Sequence, residues 1–69
     1  MLIKLTESNT HLPVYVNPEQ MLSMRRFDNL GYTNIGIIGD SLPVVETPEE
    51  ILAMIEKCEA EKAYRLMSV

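Results

Sequence analysis

The distribution of proline determines where this chain can form a long helix, because proline disrupts helix interiors. The four prolines fall at positions 13, 18, 43 and 48, and no glycine or proline follows position 48. The longest segment without either residue is 49–69. Proline also suits the first position of a helix, where its missing N–H is not needed. The pattern therefore predicts one long helix near the C-terminus, over about residues 48–66.

A short pattern that is typical of helix starts occurs twice, at Asn17–Gln20 and, 30 residues later, at Thr47–Glu50. Each copy has an N-cap residue, then proline and glutamate, and then a Gln or Glu that can reach back to the cap's backbone N–H. Both copies follow a β-prone run, so each predicts the end of a strand and the start of a helical turn. Segment 18–27 fits either a strand or a short helix, and one helical turn over 18–20 followed by a strand is favoured.

The segment after Thr47 carries apolar residues at the i, i+3, i+4, i+7 spacing of an amphipathic helix. The face that we expect to pack on the core consists of Ile51, Met54, Ile55 and Cys58, with Leu52 at its border. Lys62 falls in the middle of that face, so the helix is expected to run out of core after about residue 59.

The chain before the helix is rich in short β-prone runs separated by turn residues. Strands are expected over 2–6, 13–16, 33–38 and 42–46, with a tight turn at Gly39–Ser41. The predicted fold class is α+β: a small antiparallel sheet of about four to five short strands within residues 1–46, covered on one face by the C-terminal amphipathic helix. A chain of 69 residues forms one small domain, 1–69, with a small core.

Charge and composition narrow the function. Six basic and ten acidic residues give a net charge of −4, which argues against nucleic acid and against anionic lipid as partners. No apolar run reaches the roughly 20 residues of a membrane span, so we expect a cytoplasmic protein without a membrane partner. The single cysteine excludes an intramolecular disulfide and a classical zinc site, and we predict no cofactor and no metal.

One tetrapeptide, Gly39-Asp40-Ser41-Leu42, is spelled like the nucleophile block of the GDSL hydrolases. A serine nucleophile needs a neighbouring base, and the only histidine of the chain, His11, lacks the Asp-x-x-His context of those enzymes. A hairpin turn explains the same residues. We therefore predict no catalytic residues and no enzymatic activity.

The helix carries a second, thinner apolar face that the sheet cannot also cover. By spacing it consists of Ala53, Ala60, Tyr64 and Met67, with acidic residues such as Glu56 beside it. A small core often depends on a partner or on self-association. This face is our candidate protein interface, for a protein partner or a second copy of the chain.

The alternative is a small RNA- or DNA-binding regulator. Its candidate residues are Lys4, Arg25 and Arg26, with Phe27 adjoining the two arginines. A few basic residues with one aromatic neighbour form a weak signal for nucleic acid, and charged residues on a strand edge also serve to block unwanted pairing.

The order of elements and several residues resemble the FlbD-like family of flagellar and swarming motility proteins. The matching positions are Ile3–Thr6, Val16-Asn17 with Met21 and Met24, Thr33 with Ile35 and Ile37, and Val45–Thr47 with Glu50-Ile51. The chain departs from the family pattern in its first turn, where Asn9-Thr10 stands in place of Asn-Gly.

The resemblance implies a small non-enzymatic accessory protein, because the family carries no catalytic residues. Similar sequences also occur among small phage and mobile-element proteins. In that setting the expected role is to bind and modulate a host protein.

Overall fold

The computed structural model describes the backbone of residues 1–67 and the side chains of residues 1–60. Five strands and a short 3₁₀ turn precede one helix. In chain order the elements are β1 (Ile3–Thr6), β2 (Pro13–Val16), the 3₁₀ turn (Pro18–Gln20), β3 (Ser23–Phe27), β4 (Tyr32–Ile37), β5 (Asp40–Val44) and α1 (Pro48–Met67). This arrangement confirms the α+β class, the small set of antiparallel strands and the C-terminal helix.

The strands form two antiparallel sheets rather than one continuous sheet. β1 pairs with β2, and β3, β4 and β5 form a three-stranded meander in that order. The two sheets meet where Glu7 bridges to Val44 and the Ser8 N–H donates to the Pro43 carbonyl at 3.0 Å. The Val45 N–H donates to the Thr6 carbonyl at 2.9 Å, so the end of β1 is attached to the end of β5.

The segment 18–27 contains both structures that its sequence allowed. Pro18–Gln20 forms the 3₁₀ turn, which confirms the favoured prediction, and Ser23–Phe27 forms β3. The Asn17 side chain caps the turn by accepting a hydrogen bond from the Glu19 N–H at 3.0 Å. A single helical turn followed by a strand is the result.

The turn between β4 and β5 does not lie where the sequence predicted it. Ile37 pairs with Asp40, so the two-residue turn consists of Ile38 and Gly39, and Asp40 and Ser41 belong to the strand. Gly39 has φ +75°, a left-handed conformation that glycine adopts without strain. Gly39 is therefore the second residue of the turn, and the turn lies one residue earlier than the predicted Gly39–Ser41.

The core lies between the two sheets and the first turns of the helix. Its fully or nearly fully buried apolar side chains are Ile3, Leu5, Val16, Ile35, Val44 and Ile51. On the helix, Met54, Ile55 and Cys58 are half-buried and pack against this cluster, which confirms the predicted core face. The core receives no further helical residue among the side chains that the structure describes.

The start of the helix matches its sequence pattern closely. The Thr47 hydroxyl accepts a hydrogen bond from the Glu50 N–H at 3.2 Å, and the Glu50 carboxylate accepts one from the Thr47 N–H at 3.5 Å. This reciprocal contact is a capping box. It fixes the direction in which the helix leaves the sheet.

The helix is long relative to the domain. Twenty helical residues at 1.5 Å each give a rod of about 30 Å, and the molecule measures 45 × 23 × 20 Å. Among the side chains that the structure describes, Cys58 is the last helical residue that packs against the core.

Candidate functional site

The first candidate surface is the outer face of the helix. Ala53, Glu56 and Ala60 are all exposed, on the side away from Ile51 and Cys58. Tyr64 and Met67, the other predicted members of this face, lie outside the residues whose side chains are described. We call the face formed by Ala53, Glu56 and Ala60, with its predicted extension to Tyr64 and Met67, the helix surface.

The surroundings of the helix surface are strongly acidic. Glu49, Glu50, Glu56 and Glu59 are exposed, and among the described helical side chains only Lys57 carries a positive charge. Small alanine side chains beside carboxylates let another backbone approach closely while the charge attracts a basic surface. This arrangement is suited to contact with a positively charged surface.

The three basic residues of the alternative site do not act as a unit. Arg26 is half-buried and donates hydrogen bonds to the Thr33 hydroxyl at 3.3 Å and to the Val45 carbonyl at 3.2 Å. It also forms an ion pair with Asp28, with 3.2 Å between Nε and Oδ1. The guanidinium of Arg26 is therefore engaged within the protein, where it connects β3 to the end of β5.

Arg25 points to the opposite side of β3, because successive side chains in a strand alternate between faces. It is exposed, and among the side chains that the structure describes it forms no hydrogen bond or ion pair. Phe27 lies on the same face, two residues along, and its ring is 5.3 Å from that of Tyr32. Arg25 and this aromatic pair therefore share the outer face of the three-stranded sheet.

A shallow groove of about 310 Å³ follows β3 on this outer face. Its lining residues are Ser23, Met24, Arg25, Phe27, Asn34 and Gly36. From the sequence we identified Arg25 and Phe27 but not Ser23, Asn34 or Gly36. The alternation of side chains along a strand could have placed Ser23, Arg25 and Phe27 on one face. Asn34 and Gly36 could be added only once the pairing register of β3 with β4 was known.

Lys4 occupies a different part of the molecule. It lies on the outer face of β1 and lines a second shallow groove of about 300 Å³ between that strand and the helix. Leu2, Met54, Lys57 and Cys58 line the same groove. Lys4 and Arg25 therefore line separate grooves.

The residues that suggested a hydrolase are placed in two different elements. Ser41 lies in β5, and its N–H donates to its neighbour Asp40 at 2.7 Å. His11 lies in the loop between β1 and β2. In residues 1–60 no hydrogen bond joins the two side chains, and no group of three or more His, Cys, Asp or Glu residues is placed to hold a metal ion.

Among the described residues, no helix is both long enough and apolar enough to cross a membrane. Comparison of the chain with protein-family models, with curated proteins and with solved structures finds no match in any of the three. The resemblance to the FlbD-like family thus rests only on the residues given above.

Proposed function

We propose that this chain is a small non-enzymatic protein that acts by binding another protein through the helix surface. The observation that carries the proposal is the length of the helix relative to the core. Among the side chains that the structure describes, Cys58 is the last on the helix to pack against the core, whereas the helical backbone continues to Met67. Isolated helical turns gain most of their stability from packing of one face. A partner or a second copy supplies that packing.

The charge of the helix surface favours a basic partner. The exposed glutamates beside Ala53 and Ala60 raise the rate of encounter with a positively charged surface, and this attraction weakens as salt is added. A second copy of the chain carries the same acidic rim. We therefore favour a different protein over self-association as the occupant of the helix surface.

The biological setting that we propose comes from the FlbD-like resemblance. It is either an accessory factor in motility or a small phage or mobile-element protein that modulates a host protein. Both roles need only recognition of another protein.

The experiment that tests the proposal combines capture with matched variants. Tyr64→Ala with Met67→Ala, and separately Ala53→Arg, are expected to reduce capture of the partner by about tenfold while far-UV circular dichroism stays unchanged. The control is Tyr15→Ala, which removes an equally large exposed aromatic side chain from β2. Equal capture by all variants would remove the helix surface from consideration.

Nucleic-acid binding is the second candidate function, and Arg25 beside Phe27 and Tyr32 is the observation that favours it. Aromatic rings next to a guanidinium provide a stacking platform for a base and a contact for a phosphate. With Arg26 engaged inside the protein, one phosphate contact predicts a salt slope of about −0.7 for a single strand. A filter-binding titration with oligo(dT) that shows a much steeper slope, or no binding, would contradict this candidate.

A further inference from the structure

The edges of the two sheets differ in whether they can accept another strand. At the edge of β1, the Thr6 N–H already donates a hydrogen bond to Glu46. At the edge of β5, Pro43 and Val44 are already paired with Ser8 and Glu7. β2 begins with Pro13, and β5 contains Pro43, each of which lacks a backbone N–H.

β3 is the edge strand without a proline or a bridging segment, and the helix packs against this strand as well as against β1. It contains no proline, it forms the outer strand of the three-stranded sheet, and in the described part of the chain the backbone of 23–26 has hydrogen-bond partners only in β4. An unpaired strand edge presents a row of N–H and C=O groups that an extended segment can pair with. Five residues are enough to hold one such segment.

The groove of about 310 Å³ runs beside this same edge. Ser23, Arg25 and Phe27 project into it from the edge strand, and Gly36 contributes no side chain. A Cβ at position 36 would lie 2.5 Å from the Ser23 hydroxyl oxygen, so the Ser23 side chain lies directly over Gly36 and fills this part of the groove. Side chains of an added strand that point to this face would enter the groove.

The charge at the groove selects the kind of segment. Arg25 lies at the middle of β3, is exposed, and has no acidic neighbour bonded to it within residues 1–60. Residues directly opposite each other on adjacent strands interact, and opposite charges there are stabilising. A carboxylate side chain forms charge-assisted hydrogen bonds with a guanidinium. Phe27, two residues along the same face, offers its ring to an apolar neighbour.

We propose that β3 binds an extended acidic segment of a partner protein as an additional strand, with an Asp or Glu of that segment against Arg25 and an apolar side chain against Phe27. Backbone hydrogen bonds to the edge supply affinity, and the groove supplies side-chain selectivity. This contact is separate from the helix surface and extends the proposed protein-binding function to a second site.

Two other occupants fit the same edge less well. A second copy that paired β3 with β3 around its midpoint would place Arg25 opposite Arg25, and like charges directly opposite are destabilising. A slip of one residue would turn the arginine of one strand to the other face. Nucleic acid cannot use the backbone groups of the edge in a strand ladder, and the net charge of −4 repels it.

The test is a selection of displayed random peptides of about nine residues, long enough for one strand, on the immobilised full-length chain. We expect selected peptides to alternate β-branched or aromatic residues with Asp or Glu. Arg25→Glu is expected to weaken those peptides by more than about tenfold, and Arg25→Lys to retain most of the binding. Selection on the Arg25→Glu variant is expected to yield Lys or Arg at the same position of the peptide.

Synthetic copies of one selected peptide, N-methylated at alternate residues, test strand addition itself. Methyl groups on the side that pairs with β3 should abolish binding, and the alternate set should leave it within about twofold. Equal loss from both sets, no selected peptides, or peptides that are indifferent to Arg25→Glu would overturn the proposal. Tighter binding of oligo(dT) than of any peptide, or dimers that Arg25→Glu abolishes in light scattering, would assign the edge to nucleic acid or to a second copy.

The variant Tyr64→Ala with Met67→Ala separates this proposal from the proposed function. It is expected to bind the selected peptide as tightly as the unaltered chain, since it leaves β3 intact. If this variant loses the native partner but keeps the peptide, the helix surface and β3 bind independently. If it loses the peptide but keeps the partner, the proposed site on β3 is wrong. Unchanged far-UV circular dichroism is required of every variant that is compared.

Discussion

The carboxylate of Glu46 accepts hydrogen bonds from both polar donors of Thr6, a residue that precedes it by 40 positions. The backbone N–H of Thr6 lies 2.8 Å from Oε1, and its hydroxyl lies 2.9 Å from Oε2. Glu46 stands just before the capped start of the helix, and Thr6 ends β1. The contact therefore fixes where the helix, and with it the helix surface, leaves the sheets.

Glu46→Gln is expected to lower the free energy of unfolding by about 1–2 kcal/mol, because a charged acceptor of two hydrogen bonds becomes a neutral one. Thr6→Val is expected to cost a similar amount through the lost hydroxyl, whereas Thr6→Ser keeps it. Urea denaturation measures these changes. The control is Glu59→Gln, at an exposed helical position. An equal effect of Glu46→Gln and Glu59→Gln would show that the contact with Thr6 adds nothing to stability.

The neighbouring arginines of β3 provide a second matched pair. Arg26→Ala removes the hydrogen bonds to Thr33 and Val45 and leaves a buried hydroxyl without its donor, so we expect a loss of about 1–2 kcal/mol. Arg25→Ala removes an exposed side chain and is expected to change stability by less than about 0.5 kcal/mol. Urea denaturation of both variants measures the two changes in the free energy of unfolding. The reverse order of effects would contradict the described orientation of β3.

The contact between helix and sheets depends on Ile51, which is 0% exposed, whereas its neighbour Leu52 is 48% exposed. Ile51→Ala is expected to cost about 2–5 kcal/mol, a large part of the total stability of so small a domain. Ile51→Val should cost about 1 kcal/mol, and Leu52→Ala less than about 0.5 kcal/mol. Thermal unfolding followed by circular dichroism provides the measurement. Similar losses for Ile51→Ala and Leu52→Ala would place the core on another helical face.

His11 adopts φ +58°, the left-handed conformation, in the loop between β1 and β2. Few residues other than glycine, asparagine and aspartate adopt it without cost. His11→Val is therefore expected to destabilise the protein by about 1–2 kcal/mol, and His11→Gly to be neutral or stabilising by up to about 1 kcal/mol. Chemical denaturation ranks the two variants. If valine is tolerated as well as glycine, the loop does not hold this conformation in solution.

The elements that depend on local rules were predictable from the sequence. The capping box at Thr47, the 3₁₀ turn after Asn17 and the core face from Ile51 to Cys58 all follow from residues within two turns of each other. Each requires only a cap, a proline and a helical spacing. Such features can be predicted from the sequence because the residues that determine them are close together in the chain.

The features that depend on tertiary placement were not predictable in the same way. Nothing in the sequence pairs Thr6 with Glu46, and nothing in it shows that the strands divide into two sheets that meet at the bridge between Glu7 and Val44. The opposite roles of Arg25 and Arg26 depend on which face of β3 meets Thr33. The β4–β5 turn was misplaced by one residue because Gly39 and Asp40 both suit a turn, and only the register decides between them.

The most direct test of the central claim is site-specific photo-cross-linking in cells that express the full chain. A photoreactive phenylalanine derivative at position 60, on the helix surface, is expected to form a covalent adduct with one partner protein. The same residue at position 15, on β2, should not form that adduct, and Tyr64→Ala with Met67→Ala should abolish it. If position 60 gives no adduct, or only the products that position 15 also gives, the helix surface is not where this protein binds its partner.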